Sequence, residues 1–229
     1  MAPPVPDAGV RFHTTTRSEG DFALDAESVG LAARRRAVAA HPWVGLRQVH
    51  GAEVQVVTSA TRDRVSGAEG DALVTAEPDL VLAVLTADCV PVVLWSAEGV
   101  IGAVHAGWRG LDVGALAATA AAMRALGAGT LHAHVGPHIG VECYQFSPDD
   151  LDRVAERLGS AVRGHTADGD PALDLHAAVG SALAAVDGMG PIDHLAAAER
   201  CTACHPQRWY SYRARAERAR MATVIWRER

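Results

Sequence analysis

Apolar and polar positions along this 229-residue chain change their period midway. In the first half, GVRFHTTTR, GLRQVHGAEVQVVT, DALVTAEPDLVLAVLTADCVPVVLWS and GVIGAVHAGWRG are β-branched, apolar and punctuated by Gly, Pro or Asp, which predicts strands. From Leu111 to Leu126 the chain becomes Ala-rich, opening after Gly110 and stopping at Gly127, which predicts a helix. TLHAHVGPHIG predicts another strand. SPDDLDRVAERLG predicts a helix with Ser147 as N-cap, Pro148 at its first position and acids in its first turn. Residues 173–187 predict a further helix, and RWYSYRARAERARMATVIWRE a short loop into a final strand. With no repeat, low-complexity tract or long linker, one α+β domain over residues 11–229 is expected behind an N-terminal tail, residues 1–10.

Composition narrows the class. Apolar residues make up 49% and charged residues 21%, an ordinary globular balance able to bury a substantial core. All 21 basic residues are Arg, which suits forked binding of phosphate or carboxylate besides reflecting compositional bias. The net charge of −6 argues against nucleic acid or an acidic membrane as partner. No apolar run approaches a bilayer span, and MAPPVPDAGVRF lacks the regions of a signal peptide, so a cytoplasmic protein is expected. Its four Cys are then thiols or ligands rather than disulfides.

Three metal-capable residues stand inside apolar runs: His50 in LRQVHGAEVQVV, Cys89 in VLAVLTADCVPVVLW and His105 in VIGAVHAGWRGL. Buried polar side chains need partners, so a Cys and two His at strand ends can meet around one zinc and leave its fourth position open. The alternative for each is plain core. The ligands lie 39 (50 to 89) and 16 (89 to 105) residues apart, which excludes a zinc finger.

Further motifs have competing readings. AVHAGWRG turns through Gly107 and Gly110 into a helix, where free N–H groups and Arg109 suit an anion; the alternative is a tight turn with a surface Arg. In GPHIGVECYQF, Gly136 and Gly140 permit close backbone approach, with His138 and Cys143 able to line a pocket or simply pack. His132 and His134 share one strand face, best explained as an exposed face. Cys201-Thr202-Ala203-Cys204-His205 has the form of a c-type haem attachment, but haem attachment follows export and no export signal is present. A second metal site at Cys201 and Cys204, or a free-thiol turn, fits better. Arg213, between aromatic and small residues, can face an anion or base, or be a solvated surface arginine.

Taken in order, QVHG with His50, GDALVT with Asp71, TADCVPVVL with Asp88 and Cys89, AVHAGWRGL with His105 and Arg109, GPHIGVECY, and CT followed by YSYR resemble the bacterial laccase-domain family. Its members were first called multicopper polyphenol oxidases. They are now described as zinc-dependent purine nucleoside phosphorylases with adenosine deaminase and methylthioadenosine phosphorylase activity, and include peptidoglycan editing factors. The resemblance runs from about Arg11 to the carboxyl terminus. It implies zinc on His50, Cys89 and His105, with copper able to bind in vitro. It further implies catalytic roles for Asp88, Cys89 and Arg109, and substrate-pocket positions at Arg47, Gln48 and His138, to which the residue reading adds Arg213. The implied substrates are a purine nucleoside and phosphate, and the implied assembly is a monomer or small homo-oligomer. The implied fold is an α-β-β-α arrangement of mixed sheets and flanking helices, related to cytotoxic necrotising factor-like hydrolases.

That relation supplies a rival mechanism, a Cys89–His105 hydrolase or amidase acting on peptidoglycan precursors without metal. Two further readings are a copper-assisted polyphenol oxidase and a non-catalytic metal-binding module. The chain departs from the family pattern at the pocket rim: TTTRSEGDFA keeps Arg17 but not the paired glycines and Ser, Gln145 replaces a Glu, and RARAERARMA replaces a segment with a Gly-Arg pair. Cys204 and His205 are extra to the pattern and are expected to be dispensable, whereas Cys201 is expected to be structural.

Overall fold

The computed structural model describes residues 9–24 and 28–229, so most of the expected tail, residues 1–8, lies outside the described residues, and the first strand already begins at Val10. In chain order the elements are β1 (Val10–Thr14), α1 (Ser28–Val38), β2 (Trp43–Gly45), β3 (Val54–Val56), α2 (Arg62–Val65), β4 (Ala72–Thr75), β5 (Val81–Thr86), β6 (Val90–Ser96) and β7 (Ile101–Ala106). There follow α3 (Trp108–Asp112), α4 (Ala115–Ala125), β8 (Leu131–Val135), α5 (Pro148–Leu158), β9 (Arg163–His165), β10 (Pro171–Leu173), α6 (Leu175–Ala184), β11 (Met189–His194), α7 (Ala197–Arg200), α8 (Tyr212–Arg215) and β12 (Met221–Arg227). A four-stranded sheet has the order β1-β12-β5-β2, a six-stranded sheet the order β11-β8-β6-β7-β4-β3, and β9 and β10 form a small ribbon. Both large sheets mix parallel and antiparallel pairs.

Strand parity builds the layers, because successive side chains face opposite sides of a sheet. In β5, Leu82 and Val84 enter the core that also takes Val93 and Trp95 of β6 and Ile101 and Ala103 of β7, so the two sheets pack face to face. The alternate residues Val81 and Ala83 meet Phe22 and Leu31 beneath α1. On the far side, Val92, Leu94 and Val104 pack under Leu116 and Met123 of α4 and Val179 and Leu183 of α6. The result is helix, sheet, sheet, helix in one domain, the expected α-β-β-α arrangement. Strands buried on both faces read as continuous apolar runs, which is why β6 has no polar alternation.

Several boundaries differ from the sequence expectation. GLRQVHGAEVQVVT is two short strands, β2 and β3, in different sheets, and His50 lies in the loop between them with φ 62°. The helix expected from Leu111 to Leu126 starts earlier, at Trp108, and breaks at Gly114, whose φ of 88° cannot continue a helix. The helix at Pro148 forms as expected, with Ser147 Oγ accepting the Asp150 N–H at 3.2 Å. His132 and His134 are not a bare face: His132 stacks on Trp95, and His134 Nδ1 lies 2.8 Å from Asp193. No helix among the described residues is long and apolar enough to cross a membrane.

Leu94 sits fully buried between the six-stranded sheet and its helices. Leu94→Ala is expected to lower the unfolding free energy by about 2–5 kcal/mol in urea titration. A loss well under that range would mean this layer is loosely packed.

Candidate active site and metal centre

The site is assembled where the chain passes from one sheet to the other. The loop from β2 to β3 carries His50, and the turn from β5 to β6 carries Asp88 and Cys89, each crossing between the four-stranded and six-stranded sheets. His105, next to last in β7, pairs with Pro91 and lies on the same strand face as Ile101 and Ala103, which point into the space between the sheets. The ligand atoms of His50, Cys89 and His105 lie within 4.8 Å of one another. His50 Nε2 is 3.8 Å from Cys89 Sγ, and the two imidazoles meet edge-on at 4.8 Å. Two donors of one tetrahedral zinc stand roughly 3.5 Å apart, so the set fits that ion with one position left over. Gly107 makes the approach feasible, since a Cβ there would stand 2.8 Å from His50 Cδ2 and 3.3 Å from Cys89 Sγ.

Asp71, at the start of β4 and fully buried, fixes this geometry. Its Oδ1 accepts the His50 N–H at 2.9 Å and lies 2.8 Å from His105 Nδ1. Its Oδ2 accepts the N–H groups of Gly51 at 2.7 Å and Val49 at 3.2 Å. With Nδ1 donating to Asp71, His105 presents Nε2 as its free donor atom, the arrangement in which a carboxylate orients a metal-binding imidazole. Asp71 belongs to the GDALVT motif but was not among the expected site residues. The signal was an acid opening an otherwise apolar strand, where a buried charge demands partners.

The electrostatics follow. Burial pushes the Cys89 thiol up, but the charge and hydrogen bond of His105, together with His50, outweigh it and hold the thiol at about 6. Burial pushes His105 down, while the Cys89 thiolate and Asp71 raise it to about 9. Each group thus favours the charged form of the other, thiolate on Cys89 and imidazolium on His105.

A cavity of about 560 Å³ opens over the cluster, lined by Arg47, Gln48, Tyr212, Arg218 and Arg220 beside the three metal-capable residues. Thr86 also lines it, and its buried Oγ1 has no hydrogen-bond partner among the described residues. Arg47 is paired with Glu69, and Arg220 donates to the carbonyls of Glu217, Arg218 and Ala219. Arg218 and Arg220 were not expected as site residues; they lie in the segment that departs from the family pattern.

The remaining expected residues are placed differently. Gln48 lines the cavity, but its amide donates to the Leu85 carbonyl at 2.7 Å and accepts the Leu85 N–H at 2.8 Å, prolonging the β2–β5 ladder. Asp88 is buried, with φ 107°, and both carboxylate oxygens are engaged: Thr202 Oγ1 donates to one at 2.5 Å and the Arg213 N–H to the other at 2.6 Å. Asp88 thus ties the first turn of α8 to the Thr202 loop and is not among the residues lining the cavity. Arg213 is exposed and stacks over Tyr144 at 4.9 Å. Burial pushes Tyr144 up to about 12, with the Cys89 charge adding to it, so this phenol stays protonated beside the site. His138 is buried away from the cavity, with Nδ1 2.8 Å from the Gly136 carbonyl, and burial pushes it down to about 4. Arg109 is exposed and stacks on Trp108 at 4.3 Å, outside the cavity lining. Arg17, retained from the glycine-rich segment, pairs with Glu217 at 2.5 Å and braces the same C-terminal loop.

The family described as multi-copper polyphenol oxidoreductase laccase matches residues 18–228, and the chain belongs to it. A Streptomyces coelicolor protein named purine nucleoside phosphorylase is 38% identical over 86% of this chain and 79% of its own length. A Xylella fastidiosa protein of the same name is 38% identical over 79% of this chain and 70% of its own. The crystal structure of YlmD from Geobacillus stearothermophilus superimposes with a TM-score of 0.83 at 29% identity, covering 99% of this chain and 94% of that one. A Neisseria meningitidis protein gives 0.84 at 26% identity, over 99% and 98%.

In protein stripped of metal, alkylation of Cys89 followed by peptide mass spectrometry is expected to rise with pH through a midpoint of about 6. His105→Ala should move that midpoint up toward the ordinary thiol range. A midpoint indifferent to the substitution would contradict the pairing.

Proposed function

We propose that this protein is a zinc-dependent purine nucleoside phosphorylase that acts on adenosine, inosine and methylthioadenosine and also deaminates adenosine. One observation carries the reading: a metal-capable Cys and two His share a single cavity with Arg47, Arg218 and Arg220. Arginine forks suit a phosphate nucleophile, and relatives at 35–38% identity bear the phosphorylase name. Phosphorolysis joins a phosphate oxygen to C1′ of the ribose while the bond from C1′ to N9 breaks, its electron pair leaving with the base. Little covalent help is needed, so positioning and charge carry the catalysis.

His50, Cys89 and His105 would hold the zinc, and Asp71 fixes the tautomer of His105. When bound, the zinc would supply Lewis-acid charge at the reacting centre. Arg218, which lines the cavity and has no ion-pair partner among the described residues, would bind the phosphate, with Arg47 and Arg220 adding positive potential. Tyr212, exposed at the rim, offers a ring against which a purine can stack. Asp88 and Arg213 act at one remove, by shaping the loop that presents Tyr212. Arg109 and His138, which do not line the cavity, are assigned no contact with substrate.

A second reading has its own support. Cys89, His105 and Asp71 also form the order of nucleophile, base and orienting carboxylate found in cysteine hydrolases. Metal decides between them, because coordination consumes the thiolate as a nucleophile.

Adenosine, inosine and methylthioadenosine turnover followed by chromatography, with and without phosphate, should give phosphate-dependent free base, and inosine from adenosine without phosphate. Arg218→Ala should raise the KM for phosphate by roughly tenfold, the worth of a charge-assisted contact. Untagged protein should carry zinc at the cluster that Cys89→Ala and His105→Ala both abolish. Zinc retained there in those variants would overturn the metal assignment, and no nucleoside turnover together with hydrolysis of a muropeptide precursor would overturn the reading in favour of the hydrolase.

A further inference from the structure

A second group of ligands lies apart from the cavity. The ligand atoms of Glu142, Cys143, Cys201 and Cys204 all fall within 4.8 Å of one another. Cys143 Sγ and Cys204 Sγ are 3.5 Å apart, and Cys204 Sγ is 3.4 Å from Glu142 Oε1. We propose that these four residues form a closed S3O site for a structural zinc ion, which pins the turn at residues 140–143 to the turn at residues 201–205.

These two separations lie close to the edges of a zinc tetrahedron with sulfur and oxygen corners, roughly 3.5–3.8 Å, and the others fall within 4.8 Å. They are too long for a disulfide, whose sulfurs stand about 2.05 Å apart. Two turns converge to make the set. Residues 201–205 close on themselves through the His205 N–H to the Cys201 carbonyl, at 3.2 Å, which brings the two thiols of Cys201-Thr202-Ala203-Cys204 to one side. Val141–Cys143 forms a single 3-10 turn that delivers Glu142 and Cys143. A short parallel bridge between His138 and Cys201 laces the segments, with the His138 N–H on the Arg200 carbonyl at 2.9 Å and the Thr202 N–H on the His138 carbonyl at 3.0 Å.

Two details are those of a ligand site rather than of packed thiols. Cys201 Sγ accepts the Gly140 N–H at 3.2 Å, the backbone bond that stabilises a thiolate. The Glu142 carboxylate folds back over Gly140, in space that a Cβ at that position would fill. Three thiolates and one carboxylate fill a tetrahedron and select a thiophilic ion, whereas the His50, Cys89 and His105 set leaves a position open. The arrangement gives a use to the Cys-x-x-Cys segment other than haem attachment, and departs from the expectation that Cys204 is dispensable. It also reaches the first site, since Thr202, inside the loop, donates to Asp88 beside Cys89.

Cobalt(II) reports this site without reference to catalysis. In a His50→Ala, Cys89→Ala background purified under reducing conditions, titration should show one equivalent of tetrahedral cobalt, with intense visible bands and thiolate-to-cobalt charge transfer that zinc abolishes. Since even an outer partner of a ligand is worth roughly 10–100-fold in affinity, adding Cys204→Ala should weaken binding by at least tenfold. In the otherwise native chain, metal analysis after zinc loading should fall from two equivalents to one on Cys204→Ala. That measurement stands even if the doubly substituted background fails to fold. A single equivalent in the native chain that Cys204→Ala does not remove, binding indifferent to Cys204→Ala, or a Cys143–Cys204 disulfide that takes up no metal after reduction would overturn the proposal; a single equivalent that Cys204→Ala does remove would instead count against zinc at the first site.

Discussion

A buried carboxylate that must be satisfied organises the reactive end of this protein. Asp71 has no exposure, and a bare charge in that position would be prohibitive. Burial alone would push its pKa up; the hydrogen bond to His105 and those from the Gly51 and His50 backbone hold it below the ordinary carboxylate value. Satisfying Asp71 therefore dictates three things together: the left-handed backbone at His50, the direction of the His105 ring, and the closeness of the β2–β3 loop to the end of β7. Cys89 then has two imidazoles beside it, and its thiolate character follows from theirs.

The layers supply the frame. Two sheets pack face to face, and the chain crosses from one to the other more than once. Both the His50 loop and the Cys89 turn are such crossings, so residues 39 positions apart (50 to 89) come within 3.8 Å through sheet topology rather than local spacing. A second tier of polar bonds shapes the rim. Glu217 gathers Arg17, Arg215 and the Ser211 N–H, while Asp88 holds Thr202 and Arg213, and between them they set the loop carrying Tyr212.

Much of this was legible in the sequence because it follows from burial. The apolar runs of β5, β6 and β7 announced twice-covered sheets, and Cys89 between β5 and β6 and His105 within β7 stood out as needing partners. The N-cap at Ser147 and the glycine stop at Gly127 were local signals and read directly. What escaped was long-range. Nothing near His50 shows that its strand-like run splits between two sheets, nor that Asp71 lies beneath it. Gln48 lines the cavity, but that its amide also completes a ladder with Leu85, a partner 37 positions on (48 to 85), could not be read locally. Arg109 stacks on Trp108 and His138 is buried beside Gly136, placements set by contacts that their motifs do not announce. Arg218 and Arg220 line the cavity from the C-terminal segment, next to Glu217, which accepts from Arg17, Arg215 and the Ser211 N–H.

The central claim is that Asp71 sets the ligand geometry. The direct measurement is the zinc affinity of Asp71→Asn against the native chain, by competition with a chromophoric chelator, with circular dichroism confirming the fold. The asparagine amide would turn a donor toward backbone N–H groups and give up the charge opposite His105. Affinity at the His50, Cys89 and His105 cluster should therefore fall by roughly 10–100-fold. Equal affinity in a folded variant would show that the cluster is held by something other than this carboxylate.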